Sequence, residues 1–243
     1  MQFPSYTSVV FAPVDRDLSL ERVAGGNETE VYRTDDRRRV VKLKGETGST
    51  LAESLAHART LRDAADRFAA CLGPRYSIPS AYLLSRDEAG RVQVLVVQPF
   101  VSNARPLAEV DYKSLTPHQR EQIAVQLYDI VRRARQFYRE TGCMPDLYGR
   151  TSRSAAERRQ MRRLHMLPKR LWSFLVQRTL LRSHNLLLTN DPQPHIVLVD
   201  YDPVRRGRLY RRVYYAVRWL LFLRDDIIIA RMRRGRSVPA RRR

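Results

Sequence analysis

The apolar positions of this chain change period along its length, and each change predicts an element. The first hundred residues carry short aliphatic runs bounded by Gly, Pro, Asn and charged turns, the pattern of strands. Ser8-Val9-Val10-Phe11 is one such run, ended by Pro13. Arg22 to Arg33 reads as strand, glycine turn, strand, and Val40-Val41-Lys42-Leu43-Lys44 follows a charged turn at Asp35–Arg39. Ile78–Ser85 and Arg91–Val101 are the next two strands, joined by Arg86-Asp87-Glu88-Ala89-Gly90. Between these sets the period becomes helical. Leu51, Leu55, Ala58, Leu61 and Ala65 predict a helix over Thr50–Leu72 that Gly73-Pro74 stops.

The second half is mainly helical. Ile123, Leu127, Ile130, Val131 and Phe137 predict a helix over Thr116–Thr141, closed by Gly142. Arg205–Arg234 also reads as a helix, with Val213, Val217, Leu220, Leu221, Ile228 and Met232 toward a core. Arg211, Arg212, Arg218, Arg224 and Arg231 are expected on its other side. One β-hairpin interrupts these helices. Leu186–Leu188 and Ile196–Val199 flank a breaker cluster, Asn190–Pro194. A hairpin brings the start of one strand and the end of the next to one edge, so Asn185 and Asp200 are expected side by side. An amide oxygen and a carboxylate meeting there form a hard-oxygen site of the kind Mg²⁺ takes.

Composition narrows the class. The chain has 243 residues, 43% hydrophobic and 29% charged, a globular rather than disordered balance. Cys71 and Cys143 match no ligand spacing, so a reduced, cytoplasmic protein is expected. Neither a signal peptide nor a transmembrane segment is read in the sequence.

The net charge of +20 is concentrated in two segments. Arg150–Arg182 holds ten Lys or Arg and one acidic residue, Glu157, a net of +9. Pro203–Arg243 holds fourteen Arg against Asp225 and Asp226, a net of +12. The remainder is therefore close to neutral. Basic segments of this kind suit nucleic acid or an anionic membrane surface, and equally a solvated arginine face. Gly235 and Pro239 within residues 235–243 predict a disordered basic tail.

At the hairpin, His184-Asn185-Leu186-Leu187-Leu188 and Val197-Leu198-Val199-Asp200-Tyr201-Asp202 resemble the protein-kinase-like superfamily, in its aminoglycoside phosphotransferase-like branch. The resemblance spans about Leu20 to Val204. It implies an α+β, protein-kinase-like bilobal fold, with a small β-rich N-lobe over 1–101 and a mainly helical C-lobe over 102–234 that holds the metal-site hairpin. It also implies Mg-ATP as cofactor. Asn185 and Asp200 would be the metal ligands, and Lys42 the lysine on the nucleotide phosphates. Gly25 and Gly26 would lie in the phosphate-covering turn. Glu53, the only Glu of its helix, would orient the lysine. Gln98 and Phe100 would belong to the interlobe hinge that binds adenine. Strand alternation selects Lys42 over Lys44, because Val40 then shares the lysine's face and lines the adenine pocket.

Asp146-Leu147 follows the long helix, where the family places its catalytic base. Counting back from Asn185 by the family's spacing instead reaches Leu180, which cannot accept a proton. Two readings follow. In one, a basic insertion over 150–183 splits the loop and Asp146 is the base. In the other, the base is lost and the protein is a catalytically inactive kinase-like binder. The acceptor of the first reading is an unknown hydroxyl, and an anionic one would suit the arginines. A third reading, a basic nucleic-acid or anionic-surface binder, makes the hairpin purely structural.

Overall fold

The computed structural model describes residues 21–25, 29–34, 36–44, 50–86, 92–149, 178–191, 193–203 and 207–234. The expected strand at Ser8–Phe11, the second turn glycine Gly26, most of the basic insertion and the tail from residue 235 lie outside them. The chain is α+β and folds as two compact units. The described residues of the first lie within 21–65 and 79–100. Those of the second lie within 66–78, 101–149 and 178–234.

The first unit is an antiparallel sheet of five strands. They are β1 (Glu21–Gly25), β2 (Thr29–Arg33), β3 (Arg39–Lys44), β4 (Ala81–Arg86) and β5 (Val92–Pro99), in the order β1-β2-β3-β5-β4. β5 is flanked on both edges, and its Val94, Leu95 and Val96 are buried, as expected of the most apolar strand of this half. β4 begins at Ala81 rather than Ile78, because Pro79 has no N–H to give to a ladder. Likewise β5 ends at Pro99, two residues before the expected Val101.

Helix α1 (Leu51–Leu72) starts from a reciprocal cap. Thr50 N donates to Glu53 Oε2, and Glu53 N donates to Thr50 Oγ1. Ala58 and Leu61 of α1 pack with Leu84, Val92 and Val94, so the helix covers one face of the sheet. Partners across an antiparallel ladder point to the same face. Lys42 pairs with Val96, and Val94 with Leu84, so Lys42 belongs to the helix-covered face.

The second unit centres on α2 (Pro117–Thr141). Thr116 caps it in a capping box with Gln119, and Gly142 ends it in the left-handed conformation, with φ 68°. Ile123, Leu127, Ile130 and Val131 are buried along its inner stripe. The expected hairpin is present as β7 (Leu186–Thr189) and β8 (Ile196–Leu198), with Leu186 opposite Leu198 and Leu188 opposite Ile196. A short strand that the sequence analysis missed, β6 (Ala104–Pro106), pairs with β7 and makes a three-stranded sheet. Pro106 is tolerated because β6 is an edge strand.

The last helix, α3 (Arg208–Arg233), corrects the expected orientation. Its buried stripe is Tyr215, Arg218, Phe222, Asp225, Ile229 and Met232, at helical spacings of three and four. Val213 and Leu220, expected in the core, are 56% and 57% exposed, whereas Arg218, expected on the solvent side, is 1% exposed. Leu221 and Met232 are buried as expected, and Arg211, Arg212 and Arg231 are exposed as expected. Apolar periodicity misplaced the others because two positions of the inner stripe are ionic and are balanced by partners far away in sequence.

Gln126 of α2 holds the hairpin in place. Its Nε2 donates to Pro194 O at 2.7 Å, and its Oε1 accepts from Ile196 N at 2.9 Å. Gln126→Leu strips both buried backbone groups of their partners, so urea unfolding of the variant is expected to show a loss of roughly 2–4 kcal/mol.

Candidate functional site

The candidate site lies in the second unit, at the edge where β7 begins and β8 ends. The ladder extends past the strands by one bond, from Val199 N to Asn185 O at 2.9 Å. That bond brings Asp200 to the same edge as Asn185. The segment after β8 is anchored by Tyr201, whose hydroxyl accepts from Ile78 N at 2.6 Å. Asp200 Oδ1 accepts Asp202 N at 3.3 Å, a local turn that orients the carboxylate.

The loop after α2 meets this edge. Asp146 and Asn185 are 39 residues apart in sequence, yet Asn185 Nδ2 donates to Asp146 O at 2.8 Å. Ser183 ties the same two segments together. Its hydroxyl donates to Leu147 O at 2.6 Å and accepts from the backbone N–H groups of Asn185 and Leu186. Gly149 completes the fit. A Cβ there would lie 1.8 Å from Asn185 Oδ1, so only glycine leaves room for this side chain.

The Asn185 amide is thus held with its nitrogen committed to Asp146 O. No donor among the described residues reaches its Oδ1. With the Asp200 carboxylate at the same edge, these are the two oxygen-bearing side chains that could hold a divalent cation here. Among the described residues no three His, Cys, Asp or Glu side chains gather into a metal cage.

The Asp146 carboxylate sits in a different environment from its backbone. Its Oδ1 accepts Tyr148 N at 2.9 Å and Gly149 N at 3.2 Å, and forms an ion pair with Arg218 NH1 at 2.6 Å. Burial pushes this carboxyl up, but the charge and hydrogen bond of Arg218, with the Tyr148 N–H, outweigh it and hold the pKa below the ordinary value. The Asp146 side chain is 28% exposed, so one side of the pair reaches the surface while the guanidinium does not. Arg218 lies 5.1 Å from the Tyr148 ring centroid and 4.4 Å from that of Tyr214, and donates to the Tyr214 hydroxyl.

Behind this pair, Tyr148 donates its hydroxyl to Asp225 Oδ2 at 2.6 Å and stacks on Phe222. Burial raises the Asp225 carboxyl to about 6, against the opposing effects of the Tyr148 hydroxyl and Arg224. Ser183, Gly149, Arg218 and Tyr148 were all missed in the sequence. The run Asp146-Leu147-Tyr148-Gly149 held the only local signal, a glycine three residues after the candidate base.

In the first unit, Lys42 and Lys44 are both buried on the helix-covered side of β3. Gly25 ends β1. Glu53 is exposed and caps α1. Gln98 is buried and its Nε2 donates to Ser80 Oγ at 2.8 Å. Phe100 N donates to Arg38 O at 2.7 Å, so this N–H is already committed within the unit.

Asp225 yields a pH prediction. The unfolded carboxyl ionises near the ordinary value of 3.8 and the folded one near 6. Between these values the folded chain holds the extra proton, so the Asp225 contribution to stability falls as pH rises. Asp225→Asn keeps an acceptor for Tyr148 and removes the titration. Relative to wild type, urea unfolding of the variant is expected to gain on the order of 2–3 kcal/mol between pH 4 and pH 7.

No protein-family model matches this sequence, and no curated protein matches it. Among solved structures, it is similar to the GDP complex of wild-type aminoglycoside 2'-phosphotransferase-IIIa. The two share 12% sequence identity with a TM-score of 0.44, over 90% of this chain and 78% of that one.

Proposed function

We propose that the chain is a kinase-like phosphotransferase that uses Mg-ATP to phosphorylate a hydroxyl acceptor. The observation that supports this best is the bond from Asn185 Nδ2 to Asp146 O, which joins a base loop and a metal-site asparagine across the intervening segment. In this reading Asn185 and Asp200 hold Mg²⁺, which when bound would neutralise phosphate charge. Lys42 binds the α- and β-phosphates, with the glycine turn at Gly25 and Gly26 covering them.

Asp146 then orients the acceptor hydroxyl. Arg218 keeps its carboxyl ionised, so it holds the O–H by hydrogen bond and takes the proton late in the transfer. Such a group contributes mainly by positioning. Tyr148 N and Gly149 N fix Oδ1, which leaves Oδ2 as the oxygen that would face the acceptor. An anionic acceptor suits the basic segments. A second reading, an inactive kinase-like binder, is favoured by one observation: the Asp146 charge is already balanced inside the protein by Arg218.

Calorimetry with Mg²⁺ and ATP or GTP tests the site. Wild type is expected to bind, with Asp200→Ala and Lys42→Ala each at least ~tenfold weaker, the loss of one charge-assisted contact or more. Absence of binding to wild type at millimolar nucleotide overturns the reading. Asp146→Asn separates the two forms of it. Loss of turnover with nucleotide affinity retained identifies the base, and no turnover in wild type identifies the inactive binder.

Gly149→Ala tests the geometry beneath the site. Its Cβ must displace Asn185, so Mg²⁺-dependent nucleotide affinity is expected to fall by ~tenfold or more, while metal-free affinity changes little. Equal losses with and without Mg²⁺ would assign Gly149 to the fold alone.

A further inference from the structure

The outer face of α3 carries a second apolar stripe besides the one that packs inward. Leu209, Val213, Ala216, Leu220, Leu223 and Ile227 follow one another at spacings of four and three, and all six are exposed. Leu209 is 77% exposed, and Leu220 and Ile227 are each 57% exposed. At 1.5 Å per residue the stripe runs for roughly 27 Å along the helix. A sustained apolar line of this length on a surface marks a contact site rather than scattered solvent-facing residues.

The charges around the stripe select its partner. Arg208, Arg211 and Arg212 are exposed at its start, and Arg231, Arg233 and Arg234 at its end. The two acidic residues of α3 are committed: Asp225 is buried and accepts from Tyr148, and the half-buried Asp226 pairs with Arg135 at 2.7 Å. The outer face therefore offers apolar and positive groups only. A second copy packed on it would oppose arginine to arginine at both ends, whether parallel or antiparallel. An anionic bilayer complements both features. Aliphatic side chains would enter the acyl boundary while the arginine stems let their guanidinium groups reach lipid phosphates.

We propose that the outer face of α3 is a docking surface for an anionic lipid bilayer, on which the helix lies in the plane of the interface. No helix among the described residues is long and apolar enough to cross a membrane, so the contact would be peripheral. In the sequence, Arg236, Arg241, Arg242 and Arg243 follow α3. This proposal is independent of the phosphotransferase reading.

Flotation of the full chain with vesicles tests it, using an equal phosphatidylglycerol and phosphatidylcholine mixture against phosphatidylcholine alone. Wild type is expected to float with the anionic vesicles at least ~tenfold more tightly than with neutral ones. Leu220→Gln with Ile227→Gln leaves the charge untouched and is expected to weaken anionic-vesicle binding by ~tenfold or more. Both residues are exposed, and urea unfolding of the double variant checks that the fold is kept. If that variant is unstable, Leu220→Trp replaces it, and its fluorescence must shift to the blue on anionic vesicles. The proposal is overturned if wild type does not float, or if the folded double variant floats as well as wild type. It is equally overturned if sedimentation shows a wild-type dimer that the double variant lacks, because a second copy then covers the stripe.

Discussion

Arg218 carries its charge into the interior of the helical unit, and the arrangement of the candidate site depends on how that charge is met. A guanidinium taken out of water costs several kcal/mol, to be offset by geometry and hydrogen bonds. Here the offset comes from the Asp146 carboxylate at 2.6 Å, the Tyr214 hydroxyl and two aromatic faces. The pair fixes the loop after α2 against α3. The backbone of that same loop then receives the hairpin, through Asp146 O and Leu147 O. Three segments distant in sequence are thus joined by one ion pair and two hydrogen bonds.

This network divides Asp146 into two functions. Its carbonyl supports Asn185, while its carboxylate is shared between the interior and the surface. Members of such a network are coupled, so removal of Arg218 would strand a carboxylate as well as delete a cation. The Tyr148–Asp225 bond lies behind it and makes the loop sensitive to the protonation of a carboxyl that titrates near 6. The inner face of α3 is therefore occupied by charge balance as much as by apolar packing. Leu209, Val213, Leu220, Leu223 and Ile227 lie instead on the outer face, where they form the exposed stripe.

Much of the architecture was legible in the chain. The sheet strands, α1, α2 with its closing glycine, and the hairpin all follow from period and punctuation, because these are local properties of ten or so residues. Asn185 and Asp200 were placed at one edge by the same local logic. The strand β6 was not legible, since three residues with a proline carry no strand pattern and pair only because β7 offers an edge. Arg218 was misplaced for a related reason. A charged residue is assigned to solvent by default, and its burial is decided by a partner 72 positions away.

The sequence by itself determined most of the elements, the apolar stripes available to each, and the concentration of arginine in two segments. It left open whether Asp146 and Asn185 meet, which stripe of α3 turns inward, and which residue makes room for the asparagine. Those were decided by the tertiary structure alone. Each depends on a contact across a long stretch of chain: a side-chain amide to a distant carbonyl, a buried guanidinium to a distant carboxylate, and a missing Cβ where two loops touch. Periodicity carries no information about such contacts, because it records what a segment can bury and not what it will meet.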